Sequence, residues 1–97
     1  MEIREILNER QKTHGDFTLN AQVSQDLKTI LTRAIQREGN NVCYKPYELE
    51  ALDMICHKLS RIVAGNHAEP DHWRDLSGYS TLVADRLELD KTITTHE

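Results

Sequence analysis

The sequence predicts an all-α protein, a single four-helix, bundle-like domain completed by homo-oligomerisation. Three observations carry this expectation. No stretch alternates apolar and polar residues with a period of two, as a half-buried strand would. Apolar residues recur instead at helical spacing, most clearly at Leu19, Val23, Leu27, Ile30, Leu31 and Ala34. Turn-forming clusters, THGD, GNN and GNHAEP, cut the chain into four such segments, and the short connections favour antiparallel neighbours.

The first segment, about 2–12, carries Ile3, Ile6 and Leu7 on one side and ends at THGD. Asp16 stands where a carboxylate caps the next helix by accepting from a backbone N–H two or three residues on. A further reading gives His14, Gly15 and Asp16, together with Asn20, a role in ligand contact. The second segment, about 17–38, stops at GNN, since glycine and asparagine tolerate the backbone that ends a helix. The third opens at Pro46, whose missing N–H is no loss in a first helical turn, and runs to about Ala64. The fourth runs from about Pro70 to about Leu89, leaving a polar tail, 90–97, expected to fray.

Size and charge narrow the function classes. Ninety-seven residues form one domain, and such a chain buries only about 60–65% of its unfolded surface, so it gains much from a second subunit. The net charge of −4, with no run of Lys or Arg, argues against DNA or RNA as partner, because phosphate-backbone binding depends on cations. The opening MEIREILNER is charged where a secretory leader is apolar, and no segment is long and apolar enough to span a membrane. A cytoplasmic location is the expectation. Cys43 and Cys56 form no paired motif and read as small core residues.

Two helices carry the chemistry. On the third, Leu52, Ile55, Cys56, Leu59, Ile62 and Val63 share one side, with Glu50, Asp53, His57 and Arg61 opposite and Lys58 at the edge. On the fourth, Trp73, Leu76, Ser80, Val83, Ala84 and Leu87 form the expected core side. Asp71 and Asp75 lie opposite, beside Gly78, Tyr79 and Leu82. A leucine and a tyrosine among acids suggest a half-buried face, and Gly78 a close approach of something to the helix. Glu50, Asp53, Asp71 and Asp75 are hard oxygen ligands suited to Mg²⁺ or Mn²⁺, and Lys58 and Arg61 could take the phosphates such an ion bridges. Tyr79 is a candidate for substrate contact beside the acids. The plain alternative is a solvated face laced with charge pairs.

These segments resemble a known group. ALDMICHKLSRIVAG followed by DHWRDLSGYSTLVADRL, with THGDFTLNA upstream, is similar to the small phage and prophage branch of the MazG-like all-α nucleotide pyrophosphohydrolases, over about residues 8–88. The resemblance implies an oligomeric helical bundle that cleaves a nucleoside triphosphate to the monophosphate and pyrophosphate with Mg²⁺. It implies metal ligands Glu50, Asp53, Asp71 and Asp75, catalytic roles for Glu50, Asp53 and Asp75, and phosphate contacts at Lys58 and Arg61. The acidic pattern departs from the family's usual ExxE and ExxD pairs: here it is ELEALD and then DxxxD, and each Asp for Glu shortens the reach by a methylene. Two alternatives stand beside this reading: a non-catalytic helical oligomer that captures a nucleotide, and a structural or protein-interaction bundle.

Overall fold

In a computed structural model, which describes residues 2–95, the chain forms four helices: α1 (Ile3–His14), α2 (Phe17–Ile35), α3 (Pro46–Ala64) and α4 (Pro70–Thr95). The described residues contain no strand, so the all-α expectation holds. Local signals set most of the boundaries. The Asp16 carboxylate accepts from the Leu19 N–H at 3.0 Å and caps α2. Pro46 opens α3 as expected, and the Glu48 side chain reaches back to the Lys45 N–H at 2.9 Å. Helix α2 ends at Ile35, a little before Gly39, whose φ of 87° turns the chain away. The Asn40 side chain closes that end by donating to the Ile35 carbonyl at 2.7 Å.

Helix α3 is the centre of the molecule, with α2 packed on one side and α4 on the other. Among the described residues α2 and α4 do not pack together. The result is a three-helix layer, crossed at one end by the last turn of α1. Both neighbours run antiparallel to α3. Ser60 donates to Asn20 across the α2–α3 seam, while Lys58 pairs with Asp75 and Lys45 with Asp90 across the α3–α4 seam.

The α2–α3 seam is made of small and polar side chains. Asn20, Ser24, Cys56 and Ser60 are all buried there, which lets the helices approach closely. The Ser24 hydroxyl is buried without a hydrogen-bond partner among the described residues. Cys56 is buried as expected, whereas Cys43, read as a core residue, is exposed in the loop before α3.

Helix α4 differs from expectation in length and in rotation. It continues to Thr95, past the expected end near Leu89, because Asp90 is anchored: Lys45 Nζ lies 2.5 Å and the Tyr47 hydroxyl 2.6 Å from its carboxylate. Residues 96 and 97 of the expected frayed tail lie outside the described residues. The side turned toward α3 carries His72, Leu76, Tyr79, Val83, Leu87 and Asp90, all buried or half-buried. Trp73, expected in the core, is 53% exposed and donates its indole N–H to the His67 carbonyl at 2.8 Å, tying down the α3–α4 loop. The ion-pair anchors at Asp75 and Asp90 set this rotation, and α4 touches only one neighbour, so a single stripe is covered.

The glycine that permits close approach is not the expected one. A Cβ at Gly78 would meet nothing within 4 Å. Gly15 and Gly65 instead bring the α1–α2 corner onto the end of α3: a Cβ on either would overlap backbone atoms of the other segment. Gly15 also has φ 84°, the left-handed region that favours glycine.

The layer has two unlike faces. With Lys58 and Ala51 turned to α4 and Cys56 and Ser60 to α2, helical geometry puts Leu52, Ile55, Leu59 and Val63 on one face of α3. On this face a groove of about 310 Å³ is lined by Tyr44, Leu52, Ile55, Ser80 and Val83, among others. The opposite face of α3 carries Glu50, Asp53, His57 and Arg61. The first face is apolar and largely uncovered, with Val63 70% exposed. Among the described residues only Ala51, Cys56 and Ile62 are buried apolar side chains. The chain measures 55 × 31 × 23 Å, and its 16.8 Å radius of gyration exceeds the roughly 12–13 Å of a compact domain this long.

Candidate functional site

The polar face of α3 and the corner where α1 meets it hold the candidate site. Glu50, Asp53, His57 and Arg61 recur at spacings of three and four, so they form one stripe along α3. Glu50 and Asp53 are exposed, and among the described residues neither has an ion pair or side-chain hydrogen bond. Beside Glu50, a groove of about 390 Å³ runs between α3 and α4, lined by Tyr47, Ala51, Tyr79, Leu82, Val83 and Arg86. Its walls are apolar, and Tyr79 is half-buried in it.

The four predicted carboxylates do not converge within one chain. Asp75 is held by Lys58 Nζ at 2.9 Å, and this hydrogen bond draws its carboxyl below the usual range, with His72 and Arg61 adding to the effect. Asp71 is exposed and pairs with Arg74 at 3.2 Å. The Lys58–Asp75 and Lys45–Asp90 pairs fix the helix register. Glu50 therefore sits about 12 Å along the axis from the level of Asp75, and Asp53 about 7–8 Å, at 1.5 Å per residue. Asp71 lies a further turn away. The half-buried acidic face expected on α4 is open: Asp71 and Asp75 are exposed, and Leu82 is 65% exposed.

For a divalent cation this narrows the donor set. No group of three or more His, Cys, Asp or Glu among the described residues is arranged to hold a metal. A cage of all four carboxylates does not fit one chain. Glu50 and Asp53, unengaged and on one face, do fit the way Mg²⁺ commonly binds, through one or two carboxylates with substrate phosphates completing the shell.

The cationic part of the face is more built than the sequence indicated. Lys58 is nearly covered, with 12% of its side chain exposed. Arg61 is half-buried, and its guanidinium has no ion pair or hydrogen bond among the described residues. Around it stand three imidazoles. His72, buried, packs against His14 with ring centroids 5.5 Å apart, and its Nε2 lies 3.0 Å from the Thr13 carbonyl. Burial lowers the pKa of His14, reinforced by Arg61, His72, Lys58 and Arg10. Burial also lowers that of His57, reinforced by Arg61, Lys58 and Lys28.

Asn20, a candidate ligand contact, is turned inward. Its amide donates to the carbonyls of His14 and of Asp16, the latter at 3.1 Å, while its oxygen accepts from Ser60 at 3.4 Å. Asp16 is occupied as a cap. Both hold the α1–α2 corner in place. Sequence reasoning placed His14 at a ligand-contacting helix break but missed that His72 packs against it. The available signal was THG beside a short α1–α2 connection, which forces His14 onto whatever packs at the end of α3.

Compared with family models, curated proteins and solved structures, the chain has no match in any of the three. No helix among the described residues is long and apolar enough to cross a membrane.

Proposed function

We propose that the protein is a Mg²⁺-dependent nucleoside triphosphate pyrophosphohydrolase that works as a homo-oligomer, releasing the monophosphate and pyrophosphate. The observation that carries this reading is the α3 stripe, which puts a carboxylate pair with no partner among the described residues, Glu50 and Asp53, about two to three turns from the unpaired Arg61 guanidinium. Glu50 and Asp53 would hold Mg²⁺ (or Mn²⁺), which when bound withdraws charge from the phosphates and activates water. Arg61 and His57 would orient the phosphate chain, with Lys58 nearby and restrained by Asp75. The Tyr79 groove beside Glu50 offers an apolar wall for a base. The resemblance of KLSRI and DHWRDLSGY to the MazG-like group supports the same reaction.

The oligomer rests on surface area. A folded monomer of 11.2 kDa exposes about 5,700 Å² by the usual scaling, whereas this chain exposes 7473 Å². The excess, about 1,800 Å², falls within the roughly 1,000–2,500 Å² that each subunit of an obligate dimer buries. The Leu52, Ile55, Leu59 and Val63 face is where a second copy fits, and it leaves the polar face open.

Incubation with the eight common ribo- and deoxynucleoside triphosphates and Mg²⁺, followed by a pyrophosphate assay, tests the activity. Glu50→Gln should lower turnover about a hundredfold or more, and a wild-type rate in that variant would remove Glu50 from the site. The separation of Glu50 and Asp53 from Asp75 favours one second reading, a helical oligomer that captures nucleotides without turnover. A nucleotide-dependent thermal shift with no pyrophosphate release would establish it.

A further inference from the structure

Arg61 presents a problem of charge. It is half-buried on a chain of net charge −4, yet no carboxylate partners it among the described residues, and the acid it acts on, Asp75, is already taken by Lys58. Cations withdrawn from water need a counter-charge. Apart from Asp75, the groups around this corner carry the same sign or none: Lys58 and His57 on α3, His14 on α1 with Arg10 beside it, His72 on α4, and Lys28 on α2 beside His57.

We propose that Arg61, His14, His57 and Lys58 form a proton-linked polyanion site, at which pyrophosphate or the triphosphate tail of a nucleotide supplies the missing negative charge. This deepens the reading above and shares its assumption that Arg61 meets phosphate. A guanidinium offers a planar fork that fits two phosphate oxygens, and imidazoles on either side can each donate one further hydrogen bond once protonated. Arg61 acts electrostatically on His14, on His57 and on Asp75, so it is the hub of the cluster. Gly15 and Gly65 bring His14 to it, by seating the α1–α2 corner against the end of α3.

The site is regulatory as well as substrate-binding. While it is empty, burial and the neighbouring cations favour the neutral forms of His14 and His57. A bound polyanion reverses the local field, so the rings take up protons as it binds. Linkage then makes the protein's share of the binding energy grow as pH falls, while protonation of the anion itself in the same range works against it. Released pyrophosphate would thus be held longer in mildly acidic conditions than by a site without the two imidazoles.

The test uses the full chain and sodium pyrophosphate without metal, followed by isothermal titration calorimetry at pH 6 and pH 8. The ratio of affinity at pH 6 to affinity at pH 8 should be about threefold or more higher in wild type than in a His14→Gln, His57→Gln double variant, a comparison that cancels the titration of the ligand itself. His14→Gln and His57→Gln should each reduce that ratio. Arg61→Gln should weaken binding about tenfold or more, while Arg33→Gln, a charge removed at the far end of α2, should leave it unchanged. Circular dichroism of each variant guards against misfolding. No binding by wild type, the same pH ratio in wild type and the double histidine variant, or equal weakening by Arg61→Gln and Arg33→Gln would overturn the proposal. Pyrophosphate binding with this pattern but no hydrolysis would sink the enzyme reading alone. Hydrolysis without it would sink the proton-linked site alone.

Discussion

Gly65→Ala and Gly78→Ala are the same chemical change and should move stability in opposite directions. Gly78 lies in the interior of α4 with open space where a Cβ would go. Alanine there removes backbone freedom from the unfolded chain and adds helix propensity, a gain of about 0.5–1 kcal/mol. At Gly65 the new Cβ would overlap the His14 carbonyl and the Arg61 carbonyl oxygen. These are backbone atoms and cannot swing away, so the α1–α2 corner would have to lift off α3. Overpacking of this kind costs about 1–3 kcal/mol. The lift would also stretch the bond from the Asn66 N–H to the Thr13 carbonyl, 3.0 Å, and the His72 contact to the same oxygen. For a domain this size, about 1 kcal/mol moves Tm by about 4–8 °C. The assay is thermal or urea unfolding followed by circular dichroism, with all proteins at one concentration because association adds to apparent stability. Wild-type stability in Gly65→Ala would refute the close contact between corner and helix. Loss of stability in Gly78→Ala would mean that another helix lies against α4 at that point.

Other consequences are as direct. Ser24→Ala should stabilise the protein by about 1 kcal/mol, because it deletes a buried hydroxyl that has no partner among the described residues; urea unfolding reads the difference. If two copies join through the apolar face as proposed, Ile55→Glu, which puts a charge in its centre, should leave the protein monomeric. Light scattering after size exclusion would show this, and a variant that elutes unchanged would move the interface elsewhere. Stability should also fall as pH drops from about 7.5 to 5. His14 and His57 bind protons less readily folded than unfolded, so the unfolded state takes up more protons below its ordinary pKa of about 6.5. Asp75 and Asp90, held below the usual carboxylate range, contribute a separate loss only as pH falls below about 4. A double variant, His14→Gln with His57→Gln, should flatten the first slope of Tm against pH and leave the second.

Local chemistry was the legible part of the fold. The Asp16 cap, Pro46 at the start of α3, Gly39 after α2 and the period of the apolar stripes each act within a few residues, so sequence spacing is enough to find them. What was not legible depends on residues far apart in the chain. The rotation of α4 follows from Lys58 meeting Asp75 and from Lys45 and Tyr47 meeting Asp90, pairings that no local pattern announces. The same pairings carry the helix to Thr95. Of the six residues read as the core side of α3, Cys56 and Ile62 are buried, whereas Leu52, Ile55, Leu59 and Val63 face outward beside the α3–α4 seam, the first three half-buried and Val63 exposed. At the site, the Glu50–Asp53–His57–Arg61 stripe could be read from helical spacing alone. Convergence of those acids with Asp71 and Asp75 could not, because it requires a register between α3 and α4 that the observed ion pairs exclude.

The central claim is that the polar face of α3 is a phosphate-handling surface with a carboxylate pair at one end and Arg61 toward the other. A crystal structure of the protein with Mn²⁺ and a non-hydrolysable nucleoside triphosphate tests it most directly. Anomalous scattering should mark the ion at Glu50 and Asp53, with phosphate oxygens at Arg61. An ion held by Asp71 and Asp75, or a nucleotide seated away from α3, would contradict it.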